Sequence, residues 1–122
     1  MNPHGAHLTI DLNAIASNWQ HLQSLGGAAE CGAVVKADAY GTGLDYTGPA
    51  LAKAGCRTFF VAHLQEGQRL RAVLPNATIY VLNGFLQGSA PLYVESGLRP
   101  VLGTLDEIHE WAGFARAHAL SG

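Results

Sequence analysis

Four short apolar runs, at residues 33–37, 58–62, 78–82 and 98–102, recur along the 122-residue chain, and a stretch of helical character follows each. Runs this short, bounded by residues such as Gly32, Gly41 and the pair Asn83-Gly84, read as strands rather than helices. Thr-Phe-Phe-Val-Ala at 58–62 is almost wholly apolar, as a sheet covered on both faces requires. Pro100 is an awkward guest in the last run and predicts irregular pairing there. The stretches between the runs predict helices over 46–54, 64–74 and 88–96, with Pro49 tolerable only in a first turn. Thr104-Leu105-Asp106-Glu107 reads as a capping box for a last helix, whose apolar face is Leu105, Ile108, Trp111, Ala112 and Ala115. Ahead of these units, Leu-Thr-Ile-Asp at 8–11 alternates as a short strand does. Leu12, Ile15, Trp19, Leu22 and Leu25 then fall near helical spacing until Gly26-Gly27 stops the pattern. The order is strand, helix, then strand–helix four times over. Such alternation implies parallel strands joined by right-handed crossovers, as in a doubly wound sheet or a (β/α)8 barrel.

Charge excludes some partners. The net charge is −2 with 13% charged residues, so nothing electrostatic favours nucleic acid or an anionic membrane. No apolar run approaches the roughly 18 residues that span a bilayer. The N-terminal stretch, residues 1–7, lacks the cationic leader and apolar core of a secretory signal, so a cytoplasmic location is expected. Cys31 and Cys56 are too few for a disulfide scaffold and read as reduced thiols. The six histidines include no pair at ligand spacing, so no metal site is expected.

The first run ends in a lysine. Lys36 falls at the carboxyl end of the expected strand 33–37, and Tyr40 lies in the loop that leaves it. Reactive groups of α/β sheets gather at strand ends, where the backbone is rigid and the loops form a crevice. Lys36 has two readings. It is a snorkelling surface lysine, or an amine that Val34, Val35 and Ala37 keep dry so that it condenses with a carbonyl. Composition and periodicity do not choose between them. Asp38 either orients Lys36 or is solvated, and His63, Asn83 and Gly84 stand at the same rim.

The wording of the segment is more specific. Ala33-Val34-Val35-Lys36-Ala37-Asp38-Ala39-Tyr40-Gly41-Thr42-Gly43 resembles the pyridoxal-phosphate signature of bacterial alanine racemases, and Leu8-Thr9-Ile10-Asp11-Leu12 with Ala14-Ile15 and Asn18 resembles that family's opening. The family usually has histidine where this chain has Thr42. The resemblance implies a partial (β/α)8 TIM-type barrel, about its first four βα units, preceded by a short strand and helix. Residues 1–122 would be the N-terminal part of the pyridoxal-phosphate-binding barrel domain, with the remaining barrel and a C-terminal β domain absent. It implies interconversion of L- and D-alanine through a pyridoxal 5'-phosphate aldimine on Lys36, for peptidoglycan, in a homodimer. Tyr40 would bind the cofactor phosphate, and Leu82, ending the third run, would lie near the cofactor ring. The family's second base, a tyrosine, is absent from these residues, which implies a chain inactive alone. Two readings from other classes stand beside this one: a non-enzymatic pyridoxal-phosphate-binding barrel protein, and a structural half-barrel that needs a partner chain.

Overall fold

Among the described residues, regular structure begins just after Asp11. Its carboxylate accepts the N–H groups of Asn13 and Ala14 at 2.9 and 3.0 Å and caps the first helix. The computed structural model describes residues 5–120; residues 1–4, part of the N-terminal stretch read above, and residues 121–122 lie outside them. The elements are α1 (Leu12–Leu25), β1 (Ala33–Val34), a single turn α2 (Lys36–Tyr40), α3 (Leu44–Ala54), β2 (Thr58–Val61), α4 (Leu64–Val73), β3 (Thr78–Val81), α5 (Ala90–Glu95), β4 (Arg99–Pro100) and α6 (Leu105–Ala117). The strand expected at 8–11 does not form. Alternation makes a strand only where a neighbour offers its backbone, and Leu8 is 80% exposed.

The four strands are parallel and lie in the order β1-β2-β3-β4. An order without reversal winds the sheet in one sense. That is how a barrel is built, whereas a doubly wound sheet reverses direction. Only one face is covered. Phe59, Val61, Ile79 and Val81 are buried there with Leu44, Leu51 and Leu70 from the helices. On the other face Phe60 stacks on Tyr80 at 5.2 Å, Arg99 sits 5.6 Å above the Tyr80 ring, and Val34 is 45% exposed. The expectation of two covered faces is therefore met on one side only among the described residues.

Two further expectations change. Pro49 lies in the second turn of α3, not the first, so the Asp45 carbonyl has no N–H four residues on to accept. α6 has its capping box, Thr104 Oγ1 accepting from Glu107 N–H at 3.2 Å, but no fully buried residue. Leu105 and Ile108 are exposed, and the helix packs chiefly through Trp111, edge-on to Phe85. Cys31 and Cys56 are both free thiols; burial pushes Cys56 up to about 11.

Helices α3 and α4 touch where Gly48 lies. A Cβ there would stand 2.7 Å from Leu70 Cδ1, inside van der Waals contact. Gly48→Ala is expected to lower stability by about 1–3 kcal/mol through overpacking. Gly113→Ala, in α6 with nothing within 4 Å of the added methyl, should be neutral or raise it by up to about 1 kcal/mol. Urea denaturation of the two variants checks the contrast; equal effects would mean that the α3–α4 contact is not tight.

Candidate active site

The expected strand 33–37 is cut short. β1 ends at Val34, the Val35 N–H makes a last ladder bond to the Phe60 carbonyl at 2.8 Å, and Val35 ψ is 26°. Ala37, Asp38, Ala39 and Tyr40 then take φ of 52°, 54°, 54° and 55°. With ψ of 53°, 44° and 47° for the first three, this is a turn of left-handed helix. Ala39 N–H donates to the Val35 carbonyl and Gly41 N–H to the Ala37 carbonyl, both at 3.0 Å, so the turn is closed as a mirror-image α-turn. None of the four residues is glycine, and each L-residue in this conformation costs roughly 1–2 kcal/mol. Backbone held there persists only when its surroundings over-determine it.

The surroundings are identifiable. The Ala39 methyl is buried in the core. Thr42 Oγ1 donates to the Ala39 carbonyl at 2.6 Å and so takes its second bond from the Thr47 hydroxyl at 2.9 Å. Asp38 Oδ1 accepts the Leu44 N–H at 3.0 Å and pairs with Arg69 at 3.0 Å. Asp38 is thereby committed to the turn and not to Lys36. Arg69 also makes a two-pronged contact with Asp45, both bonds 2.8 Å, and this contact holds the Asp45 carboxyl below the usual carboxylate range.

The last brace is Glu66 in the first turn of α4. Oε1 accepts the Ala37 N–H at 2.7 Å, while Oε2 accepts those of Ala62 and His63 at 2.8 and 3.0 Å. Burial pushes this carboxyl up, but the bonds from His63, Ala62 and Ala37 outweigh it and hold it below its ordinary value. A depressed folded value means that the stabilisation is present above the ordinary value of 4.5 and is lost as pH falls through the lowered one. Glu66→Gln should therefore flatten the loss of stability below pH 4.5, measured as the urea midpoint against pH; a wild-type slope in the variant would refute it.

Lys36 thus leaves the carboxyl end of β1, half-buried, and Tyr40 is 63% exposed at the end of the left-handed turn. The dry jacket expected around the amine is incomplete, because Val35 is buried but Val34 and Ala37 are exposed. Leu82 follows β3 directly, its N–H bonded to the Val61 carbonyl at 2.8 Å, so β2 lies between it and Lys36. A cavity of about 280 Å³ at this rim brings together His63, Asn83, Gly84 and Tyr93, but takes in neither Lys36 nor Tyr40. Glu66 and Arg69 were not singled out from the sequence. For Glu66 a signal existed: it stands three residues after His63 at the capping-box spacing, masked because histidine is not a usual N-cap.

A parallel sheet wound in one sense with a primary amine at its carboxyl rim defines an α/β protein of the lysine-bearing, barrel-like kind. The family model described as alanine racemase, N-terminal domain, matches residues 10–121. The chain belongs to that family. It is 64% identical over 116 residues to an alanine racemase of Methylobacterium sp. (strain 4-46), covering 95% of this chain and 32% of that protein. It is 62% identical to one from Methylobacterium nodulans, covering 93% and 31%. The crystal structure of alanine racemase from Bartonella henselae with covalently bound pyridoxal phosphate superposes with a TM-score of 0.87 at 42% identity, over 90% of this chain and 32% of that one. The chain spans about a third of the length of the curated relatives it matches, and its four parallel strands match the N-terminal part of the alanine racemase barrel.

Proposed function

We propose that this chain is the cofactor-bearing, N-terminal part of the barrel domain of an alanine racemase that uses pyridoxal 5'-phosphate. The observation that carries the reading is a half-buried lysine leaving a strand end, followed by a left-handed turn that ends at the exposed Tyr40. The residues fit the cofactor's chemistry. Lys36 Nζ, with no ion-pair partner among the described residues, would hold the aldehyde carbon; the exposed Tyr40 hydroxyl would donate to a phosphate oxygen, and Leu82 would lie near the ring. When bound, the cofactor supplies the electron sink that makes the alanine Cα–H acidic. Displaced from the aldehyde carbon by the substrate's own amine, Lys36 Nζ would be free to move a proton at Cα on its own face of the substrate. Racemisation also needs a base on the opposite face, and these residues supply one base. The complete enzyme would be a cytoplasmic homodimer with further barrel units and a C-terminal β domain.

The names of the close relatives and the covalent pyridoxal phosphate in the Bartonella protein support this reading over a non-catalytic carrier or a structural half-barrel. Borohydride reduction with pyridoxal 5'-phosphate followed by peptide mapping tests it. The chain has two lysines; the adduct is expected on Lys36 and not on the exposed Lys53, and a Lys53 adduct would defeat the assignment. The 122-residue chain alone is expected to show near-zero alanine turnover, and rates near those of a complete racemase would contradict the one-base argument.

A further inference from the structure

We infer that Glu66 is the positioning residue for Lys36: helix α4 sets the direction of the amine by gripping the peptide unit that follows Lys36 with one carboxylate oxygen and the end of β2 with the other. This rests on the reading of Lys36 as the cofactor-bearing amine. A capping role for Glu66 needs only the His63 N–H at the start of its own helix. The bond from Ala37, 29 residues earlier in the chain, lies outside that role. It fixes the residue at which the backbone turns left-handed, with Ala37 at φ 52°. A non-glycine residue leaves that region once nothing holds it, and Lys36 hangs from the same peptide plane. Both Glu66 oxygens are committed, one to each side of the seam between the turn and β2. Arg69, three residues on and so on the same face of α4, holds the far side through Asp38 and Asp45. That contact runs between exposed side chains, whereas the Glu66 contact is to backbone adjoining Lys36. Glu66 touches Lys36 only through Ala37, so it positions and does not react.

The test uses the complete polypeptide and the variants Glu66→Gln, Glu66→Asp, Arg71→Met and Lys36→Ala. Glutamine keeps the shape of Glu66 but replaces one acceptor by an NH2, so the Ala37 bond or the Ala62 and His63 bonds are lost. Aspartate is one methylene shorter and does not span the seam. Two quantities are read: capture of pyridoxal 5'-phosphate, by its absorbance and by borohydride trapping, and amide hydrogen exchange in the apoprotein. In both Glu66 variants the Ala39 and Gly41 amides should exchange about tenfold faster or more, and capture should weaken about tenfold or more, the usual scale for a lost charge-assisted bond. The Phe59 and Ile79 amides in the sheet should keep wild-type exchange. Arg71→Met, which loosens the opposite end of the sheet, should leave capture unchanged. Wild-type capture in both Glu66 variants overturns the inference and leaves the function of Lys36 standing. So does a loss of capture that merely tracks exchange of the sheet amides. A wild-type protein with no adduct at Lys36, or a Lys36→Ala variant that keeps one, overturns the reading of Lys36 itself and this inference with it.

Discussion

Lys36→Ala is expected to abolish covalent capture of pyridoxal 5'-phosphate and to lower racemisation by the complete enzyme by about 10²–10⁴-fold or more, the range associated with one positioned acid–base group. The loss is compounded because the same amine both holds the aldehyde and moves the proton. Lys36→Arg is the sharper variant. It keeps the positive charge and much of the length, but a guanidinium does not deprotonate in proteins and neither attacks a carbonyl nor accepts a proton. Both variants should therefore fail alike. An arginine variant with substantial turnover would show that charge alone matters at this position, and the proposed role of the amine would be wrong. Folding is a weak confounder, since the Lys36 side chain makes no ion pair among the described residues.

Arg71→Met is expected to carry the larger stability effect of the two α4 arginines, about 2–4 kcal/mol from several lost charge-assisted bonds, taken low because the freed carbonyls are partly rehydrated. Arg71 donates to five carbonyl oxygens: Leu74, Pro75 and Ala77 just after its own helix, at 3.0, 3.0 and 2.7 Å, and Ser96 and Gly97 after α5, at 3.2 and 2.6 Å. It thus ties the segment leading into β3 to the segment leading into β4. Arg69→Met should do far less to global stability, because its carboxylate partners and its own guanidinium are about half exposed and water replaces them. Chemical denaturation of the two variants side by side is the measurement. Equal midpoints would mean that the Arg71 network contributes no more than a surface pair.

Much of the architecture could be read from the chain because local and tertiary signals agree. Asp11 and Thr104 cap helices where a short polar side chain precedes an apolar periodic stretch. The middle strands 58–62 and 78–82 emerge within a residue of their expected ends. Position 8–11 failed because alternation describes a face and says nothing about whether a partner strand is there. Pro49 failed because a proline rule weighs only the local bond, whereas α3 is held by Leu44, Thr47 and Leu51 buried against its neighbours. The site was half legible. The place of Lys36 followed from where an apolar run stops. The hand of the turn did not, since Ala-Asp-Ala-Tyr has nothing that favours positive φ except Asp38, and the glycines at positive φ, Gly41 at 82° and Gly43 at 92°, come only afterwards. The braces are long-range, 29 residues away for Glu66 and 31 for Arg69 counted from Ala37 and Asp38; the capping-box spacing marks Glu66 as a cap, but nothing local marks either residue as a brace of the turn.

The two-residue strand β4 carries its proline in a particular orientation. Val101 N–H, one residue on, reaches inward to the Val81 carbonyl at 2.9 Å. Alternation then turns the Pro100 nitrogen outward, away from β3. A fifth strand laid along that outer side would find an acceptor in the Pro100 carbonyl but no hydrogen to receive at the Pro100 nitrogen. Such a seam would be one rung short there.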